Sequence, residues 1–293
     1  MKLDLYLCDT SFNYRIGEEH LLTKCVFDLD DVVKKAKELG EDIYVSYSWY
    51  NQIIKEDIAI SSWLYEYSED FSNQDEKMLM NEIIKQTKYI EDEEYLERTK
   101  LIKENSQKNG FGAILCLFLL ELCDPPQNFN IYNKQDYINI HRFYLHQSNS
   151  IEELFHGFQG SFPNLYCSES VLKSMKTFKP LHDYKGEIIK HLAILNDEGY
   201  KLYQEYNSSQ DKEIIKKLES SGLECSGQGD SNYQNKYLSF TFLNDRGKEE
   251  VVVCAPHTKL FHKGSDYRIY FARFNSTIKN GEKLLIGHIG DHC

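Results

Sequence analysis

Proline is scarce in this chain, with five in 293 residues, and no stretch is rich in serine and glycine. A flexible linker and a low-complexity tail are thereby excluded. Long apolar runs are also missing. The most apolar segment, Phe111 to Cys123, spans 13 residues, whereas a membrane helix needs about 20. It reads as a buried helix or a strand pair. The eight cysteines form no CxxC pair, and the amino-terminal run MKLDLYLCDTS carries Asp4 and Asp9, which no secretory signal would. The expectation is a cytoplasmic protein with reduced thiols and no membrane contact. Positive charge is in deficit: 34 Lys and Arg stand against 46 Asp and Glu, a net charge of −12. This disfavours binding of DNA or an anionic membrane over the whole surface. It leaves room for a local basic patch, or for an acidic surface that competes with nucleic acid for a basic partner. No glycine-rich phosphate loop follows a strand, so a dinucleotide fold lacks its signature and no cofactor is expected.

What is present is enough apolar material for a core, at 41%, arranged as helices followed by strands. Leu3 to Leu7 and Ile43 to Ser46 read as strands flanking a helix from Leu29 to Leu39, with Asp28 as cap and Gly40 as stop. From about Asp57 to Leu122 the spacing predicts helix, with Ser72 a cap for the stripe Leu79, Ile83 and Ile90, and Glu91 to Lys108 an exposed helix or excursion. Asp124-Pro125-Pro126 ends the apolar segment. A second helical stretch runs from Lys134 to about Ser221. Its clearest member is Tyr184 to Tyr206, with Gly199 a weak point; Ser208 or Ser209 can cap the helix from Asp211 to Ser220. Ser161 to Cys167 reads as a turn and a short strand. At Ser226 the texture changes, and four β runs follow: Tyr237–Leu243, Glu250–Cys254, Tyr267–Phe274 and Lys283–Ile289. The predicted class is α+β. A mainly helical region with short strands, residues 1–225, carries an antiparallel sheet region, residues 226–293, packed on it or continuous with it.

The informative stretch is Pro256 to Cys293. It holds six Lys and Arg against three acids, and four of the ten histidines (His257, His262, His288 and His292), where an even spread would put about one. Basic, histidine-bearing strands closing an acidic chain suggest a site for a phosphate-bearing partner. The competing reading is a set of edge-strand cations that discourage aggregation.

Within this stretch Tyr267-Arg268-Ile269-Tyr270-Phe271, followed by Leu284-Leu285-Ile286-Gly287-His288-Ile289-Gly290-Asp291-His292, resembles the last two strands of the ParE/RelE toxin superfamily. The resemblance covers about 40 of 293 residues. It implies metal-independent RNA cleavage, in which 2′-OH attack needs a base, an acid and cations for the phosphate. The matching residues are Tyr270 and His288 for proton transfer and Arg268 and Arg273 for phosphate, with Lys259 and Lys263 beside them. Strand parity puts Arg268 and Tyr270 on one face and Arg273 on the other unless a bulge intervenes. The tail, with FPNLYCS (162–168) and IIKHLAILND (188–197), is also similar to uncharacterised bacterial and prophage proteins of phage–host conflict. That similarity implies a defence or anti-defence role. The expected partner is nucleic acid, RNA ahead of DNA, or a host or phage defence complex; an oligomer is compatible with either. The alternative is a non-enzymatic acidic inhibitor that binds and blocks such a complex.

Other constellations are weaker. His288 and His292 are the right ligand types for zinc, together with Cys293, His257, His262 and Cys254, but in no standard spacing. Cys8 beside Asp9 can be drawn as a nucleophile pair, yet a cysteine ending an apolar strand reads as buried and inert. His141 and His146 are five residues apart and fall on different helix faces. Trp49 and Trp63, with Tyr47, Tyr50, Tyr65 and Tyr67, could stack bases or simply fill a core. The acidic run Glu91 to Glu94 reads as a solvated helix start.

Overall fold

A computed structural model describes residues 2–13, 19–65, 73–104, 111–118, 129–206, 210–227, 229–261 and 265–293. The chain splits into two compact units, Met1–His141 and Arg142–Cys293. The change of texture at Ser226 falls inside the second. Ser72, Ser208, Ser209, Cys123, Asp124 to Pro126, Tyr67, His262 and Lys263 lie outside the described residues. No helix among the described residues is long and apolar enough to cross a membrane.

The first unit contains strands β1 (Asp4–Leu7), β2 (Asp42–Ser46), β3 (Ile53–Lys55), β4 (Ile58–Ala59), β5 (Lys88–Ile90), β6 (Gly112–Leu115) and β7 (Asn130–Ile131). Between them run helices α1 (Glu19–Glu38), α2 (Ile60–Tyr65), α3 (Gln74–Lys85) and α4 (Asp92–Lys103), and α5 (Lys134–Leu145) follows. Five strands form one sheet in the order β5-β2-β1-β6-β7, and every pairing is parallel. Parallel strands need crossover connections; α1 supplies the one from β1 to β2, α2 and α3 lie on the one from β2 to β5, and α4 supplies the one from β5 to β6. Such strands carry near-continuous apolar runs: Leu5, Leu7, Ile43, Val45, Ala113 and Leu115 are fully buried.

Helix α1 buries Leu22, Val26, Leu29, Val32, Val33 and Ala36, and Gly40, at φ +70°, stops it. Asp28 is not its cap. The apolar stripe begins a turn and a half upstream, and Asp28 sits mid-helix in an ion pair with Lys24 at 2.8 Å. The stretch from Asp57 to Leu122 is likewise not uniformly helical. β5 and β6 interrupt it, because a short buried apolar run has no periodicity to distinguish strand from helix.

The second unit contains short helices α6 (Ile151–His156), α7 (Phe158–Ser161) and α8 (Ser170–Ser174), then α9 (Lys185–Ile194), α10 (Tyr200–Glu205), α11 (Asp211–Ser220) and α12 (Ser231–Tyr237). Its strands are β8 (Leu165–Cys167), β9 (Cys225–Ser226), β10 (Ser239–Leu243), β11 (Glu249–Val253), β12 (His257–Lys259), β13 (Tyr267–Ala272) and β14 (Leu284–Asp291). The four expected runs correspond to β10, β11, β13 and β14; the short β9 and β12 were not foreseen. The weak point near Gly199 is a π-helical turn, Leu195–Gly199, joining α9 to α10.

The main sheet of this unit runs β8-β14-β13-β12-β9, antiparallel except where β8 joins β14. β10 and β11 form a separate hairpin, turned by Asn244 to Gly247 with Gly247 at φ +70°. One sheet face, with Ile269, Phe271, Leu284, Ile286 and Ile289, packs on Val171, Ile188, Leu192 and Leu218 of the helices. On the other face Tyr270, Ala272 and Leu285 pack on Leu238, Phe242 and Cys254 of the hairpin region.

Gly287 is where the hairpin approaches β14. A Cβ there would collide with the Phe240 ring and lie 2.7 Å from Cys254 Sγ. Gly287→Ala is expected to destabilise the protein by about 1–3 kcal/mol through overpacking. Gly186→Ala, in α9 with nothing within 4 Å of the new methyl, should instead be neutral or stabilising by up to about 1 kcal/mol. Chemical denaturation of the two variants against the parent checks both.

Candidate functional site

Register across three strands builds the site. His257 on β12 lies opposite Tyr270 on β13, and Tyr270 lies opposite His288 on β14. The three side chains therefore form one row on the hairpin side of the sheet. The ring centroids of Tyr270 are 5.0 Å from His257, 5.9 Å from His288 and 6.3 Å from His292. Tyr270 is 1% exposed and His257 is buried. His288 is half-buried and His292 is exposed, so the row opens to solvent at its histidine end. Phe240 of the hairpin leans on both Tyr270 and His288.

The hydrogen bonds assign the imidazole protons. A carbonyl can only accept, so His257 Nδ1 donates to Ala255 O at 3.3 Å and Nε2 accepts from Ser226 Oγ at 3.0 Å. His288 Nε2 donates to Asp291 O at 2.9 Å, which leaves Nδ1 as its basic nitrogen. Burial holds both rings neutral. His257 is brought down to about 4, chiefly by desolvation and then by the nearby charges of Arg268, His292 and Lys259. Desolvation also lowers His288. It pushes the Tyr270 hydroxyl up to about 12, which keeps the phenol protonated at neutral pH. Two neutral imidazoles thus flank a protonated phenol.

The cations are placed differently. Arg268 shares the row's face but is 7% exposed. Its Nη1 donates to the carbonyls of Ser265 and Tyr267, and its Nε is buried without a partner. Arg273 is on the opposite side, as parity requires. It donates to Tyr203 O and Tyr206 O, pairs with Asp211 at 2.9 Å and stacks on Tyr203. Lys259 is bound to Glu224 at 2.8 Å, and Lys283 to the Pro163 carbonyl. Lys263 is outside the described residues. The fold thus gathers Tyr270, His288, His292 and Arg268 and leaves Arg273 out. His257 and Ser226 join the row although no catalytic role was assigned to them. The two-residue spacing of His257 and Lys259 was the available signal for a shared strand face. Among the described residues no three His, Cys, Asp or Glu side chains are grouped to hold a metal ion.

The first unit has its own polar cluster, at the carboxyl ends of its parallel strands. Ser46 Oγ donates to Asp9 Oδ2 at 2.8 Å, and Asp92 Oδ1 accepts from Ser48 N at 3.0 Å. The acidic run is therefore partly engaged at Asp92. Burial raises Asp9 to about 6. Trp49 and Trp63 are buried core. Tyr47, Tyr65 and Tyr89 are exposed, with Tyr47 stacked on Tyr89 at 5.6 Å. His141 is buried within α5, and His146 is exposed just past its end, so the two are not a ligand pair.

The state of His257 is measurable. An unfolded imidazole titrates near 6.5 and the folded one only near 4. Between those values the unfolded chain binds more protons, so stability falls as pH falls through that window. The melting temperature should decline less steeply from pH 6.5 to 4 in His257→Gln than in the parent; equal slopes would refute the burial assignment.

Compared with protein-family models, with curated proteins and with solved structures, the chain matches none.

Proposed function

We propose that the chain is a phage–host conflict protein that engages RNA at the terminal sheet and cleaves it without a metal. The observation that carries this reading is the cross-strand row of His257, Tyr270 and His288, open to solvent beside His292. His288 Nδ1 accepts the proton of the attacking 2′-OH. The Tyr270 hydroxyl donates a proton toward the leaving oxygen, and Arg268, whose Nη1 is held by the Ser265 and Tyr267 carbonyls, contributes only its long-range field to the charge that develops and no direct phosphate contact. Arg273 takes no part, because its guanidinium is spent on the Tyr203 and Tyr206 carbonyls and on Asp211. The sequence resemblance to toxin strands supports the same chemistry.

A second reading has its own observation. Lys259, Arg273 and Lys283 are all bound within the fold, which leaves little cationic surface on the sheet and an acidic exterior overall. That supports a non-enzymatic inhibitor that binds a defence complex through shape and negative charge.

RNA and DNA are to be incubated with the protein in chelator. The nuclease reading expects RNA cleavage that the double change His288→Gln, His292→Gln abolishes with a nearly unchanged melting temperature. It also expects RNA binding that weakens with salt. Absence of RNA binding at low salt eliminates it. Capture of a stable protein complex from cells carrying defence systems, without nucleic-acid turnover, would establish the inhibitor instead.

A further inference from the structure

The parallel sheet of the first unit reverses its strand order beside β1 and β6, and residues just past the carboxyl ends of these strands lie at the reversal. Leu7 pairs with Leu115 in register, and Cys8 N donates to Leu115 O at 2.7 Å. The next residue on each strand is a cysteine. Cys8 and Cys116 belong to one buried cluster with Ile114, flanked by Ile102 and Tyr132. Neighbouring strands run about 4.8 Å apart, inside the Cα separation of about 4.4–6.8 Å that a disulfide accepts.

We propose that Cys8 and Cys116 are a reactive thiol pair, which a hydroperoxide converts to a disulfide joining β1 to β6. The surroundings of Cys8 suit a thiolate. The neighbouring Cys116 thiol, against the opposing effect of burial and with help from the Thr10 hydroxyl 3.6 Å from the Cys8 sulfur, lowers Cys8 to about 6, while Ser11 Oγ donates to the Cys8 carbonyl at 2.9 Å. Asp9, Asp92 and Tyr95 are the other titratable groups around this edge. Other described cysteines behave oppositely: burial pushes Cys167 and Cys225 up to about 12, and Cys293 to about 11. Cys8 remains 7% exposed and Cys116 1%, so a small oxidant reaches Cys8 first.

The chemistry balances in two steps. The Cys8 thiolate attacks one peroxide oxygen; the S–O bond forms and the O–O bond breaks. The departing alkoxide takes a proton and leaves as alcohol, or as water from hydrogen peroxide. The Cys116 sulfur then attacks the Cys8 sulfenic acid. The S–S bond forms, the S–O bond breaks, and hydroxide leaves as water with the Cys116 proton. Two thiols lose two electrons and one peroxide gains them.

The full chain is to be treated with hydrogen peroxide, blocked with an alkylating reagent and mapped by peptide mass. The expected result is a Cys8–Cys116 cross-linked peptide. Before oxidation, Cys8 should alkylate at least about tenfold faster than Cys225 at neutral pH. In Cys116→Ala the reaction should stop at a Cys8 sulfenic acid that a dione reagent traps. Equal alkylation rates for Cys8 and Cys225, or peroxide linking Cys8 to a different cysteine, would overturn the proposal. Both decisive readings are made on the unsubstituted chain, so a variant that fails to fold leaves them intact.

Discussion

The pairing of β13 with β14 is the constraint on which the second unit depends, and its register shift is what makes it work. Tyr270 faces His288, yet the next pair is Phe271 with Ile286, so Gly287 is an extra residue on β14. Without that shift, Ile286 and Ile289, three apart, would point to opposite faces. With it, both enter the helix-side core while His288 and Leu285 share the hairpin side. One residue thus keeps the imidazole row and the apolar core on separate faces. Gly287 is also where Phe240 and Cys254 come closest, so the device that sets the parity also lets the hairpin close over Tyr270.

Two half-buried arginines fasten the short helices of the unit. Arg142 grips Asp197 with two bonds of 2.7 Å and donates to Ser161 O, securing the π-helical turn. Arg273 ties α10 and the start of α11 to the end of β13. A guanidinium can satisfy several carbonyls at once in a fixed fork. That makes it a good fastener for short helices whose last carbonyls have no partner. The cost is that a cation used this way is withdrawn from any external phosphate.

The sequence made much of this readable. The α+β class, the strands at β1, β2, β10, β11, β13 and β14, and the opposition of Arg268 and Arg273 follow from alternation and turn residues. Of the apolar stripe Ile188, Leu192, Leu195, Leu202 and Tyr206 that periodicity picks out, the first three are buried and the last two half-buried. What could not be read is instructive. β5 and β6 are three and four residues long, too short to show a period inside a region of strong helical spacing. The fully parallel sheet depends on non-local pairings, the longest joining Asp4 of β1 to Gly112 of β6, which no local pattern encodes. For the site, composition located the histidines, and parity placed Tyr270 with Arg268. Whether a lysine or arginine faces water or a carbonyl is a matter of tertiary placement, and there the basic tail was least informative.

The edge carrying Cys8 is assembled from distant parts of the chain: Cys8 itself, Ser46, Asp92 and Cys116. Closing so long a loop is slow relative to local helix formation. Until β6 docks beside β1, Cys8 has no neighbouring thiol and behaves as an ordinary free cysteine. Its reactivity is thus acquired at one moment in folding, and the rate at which a thiol reagent captures it times the arrival of β6 in the sheet.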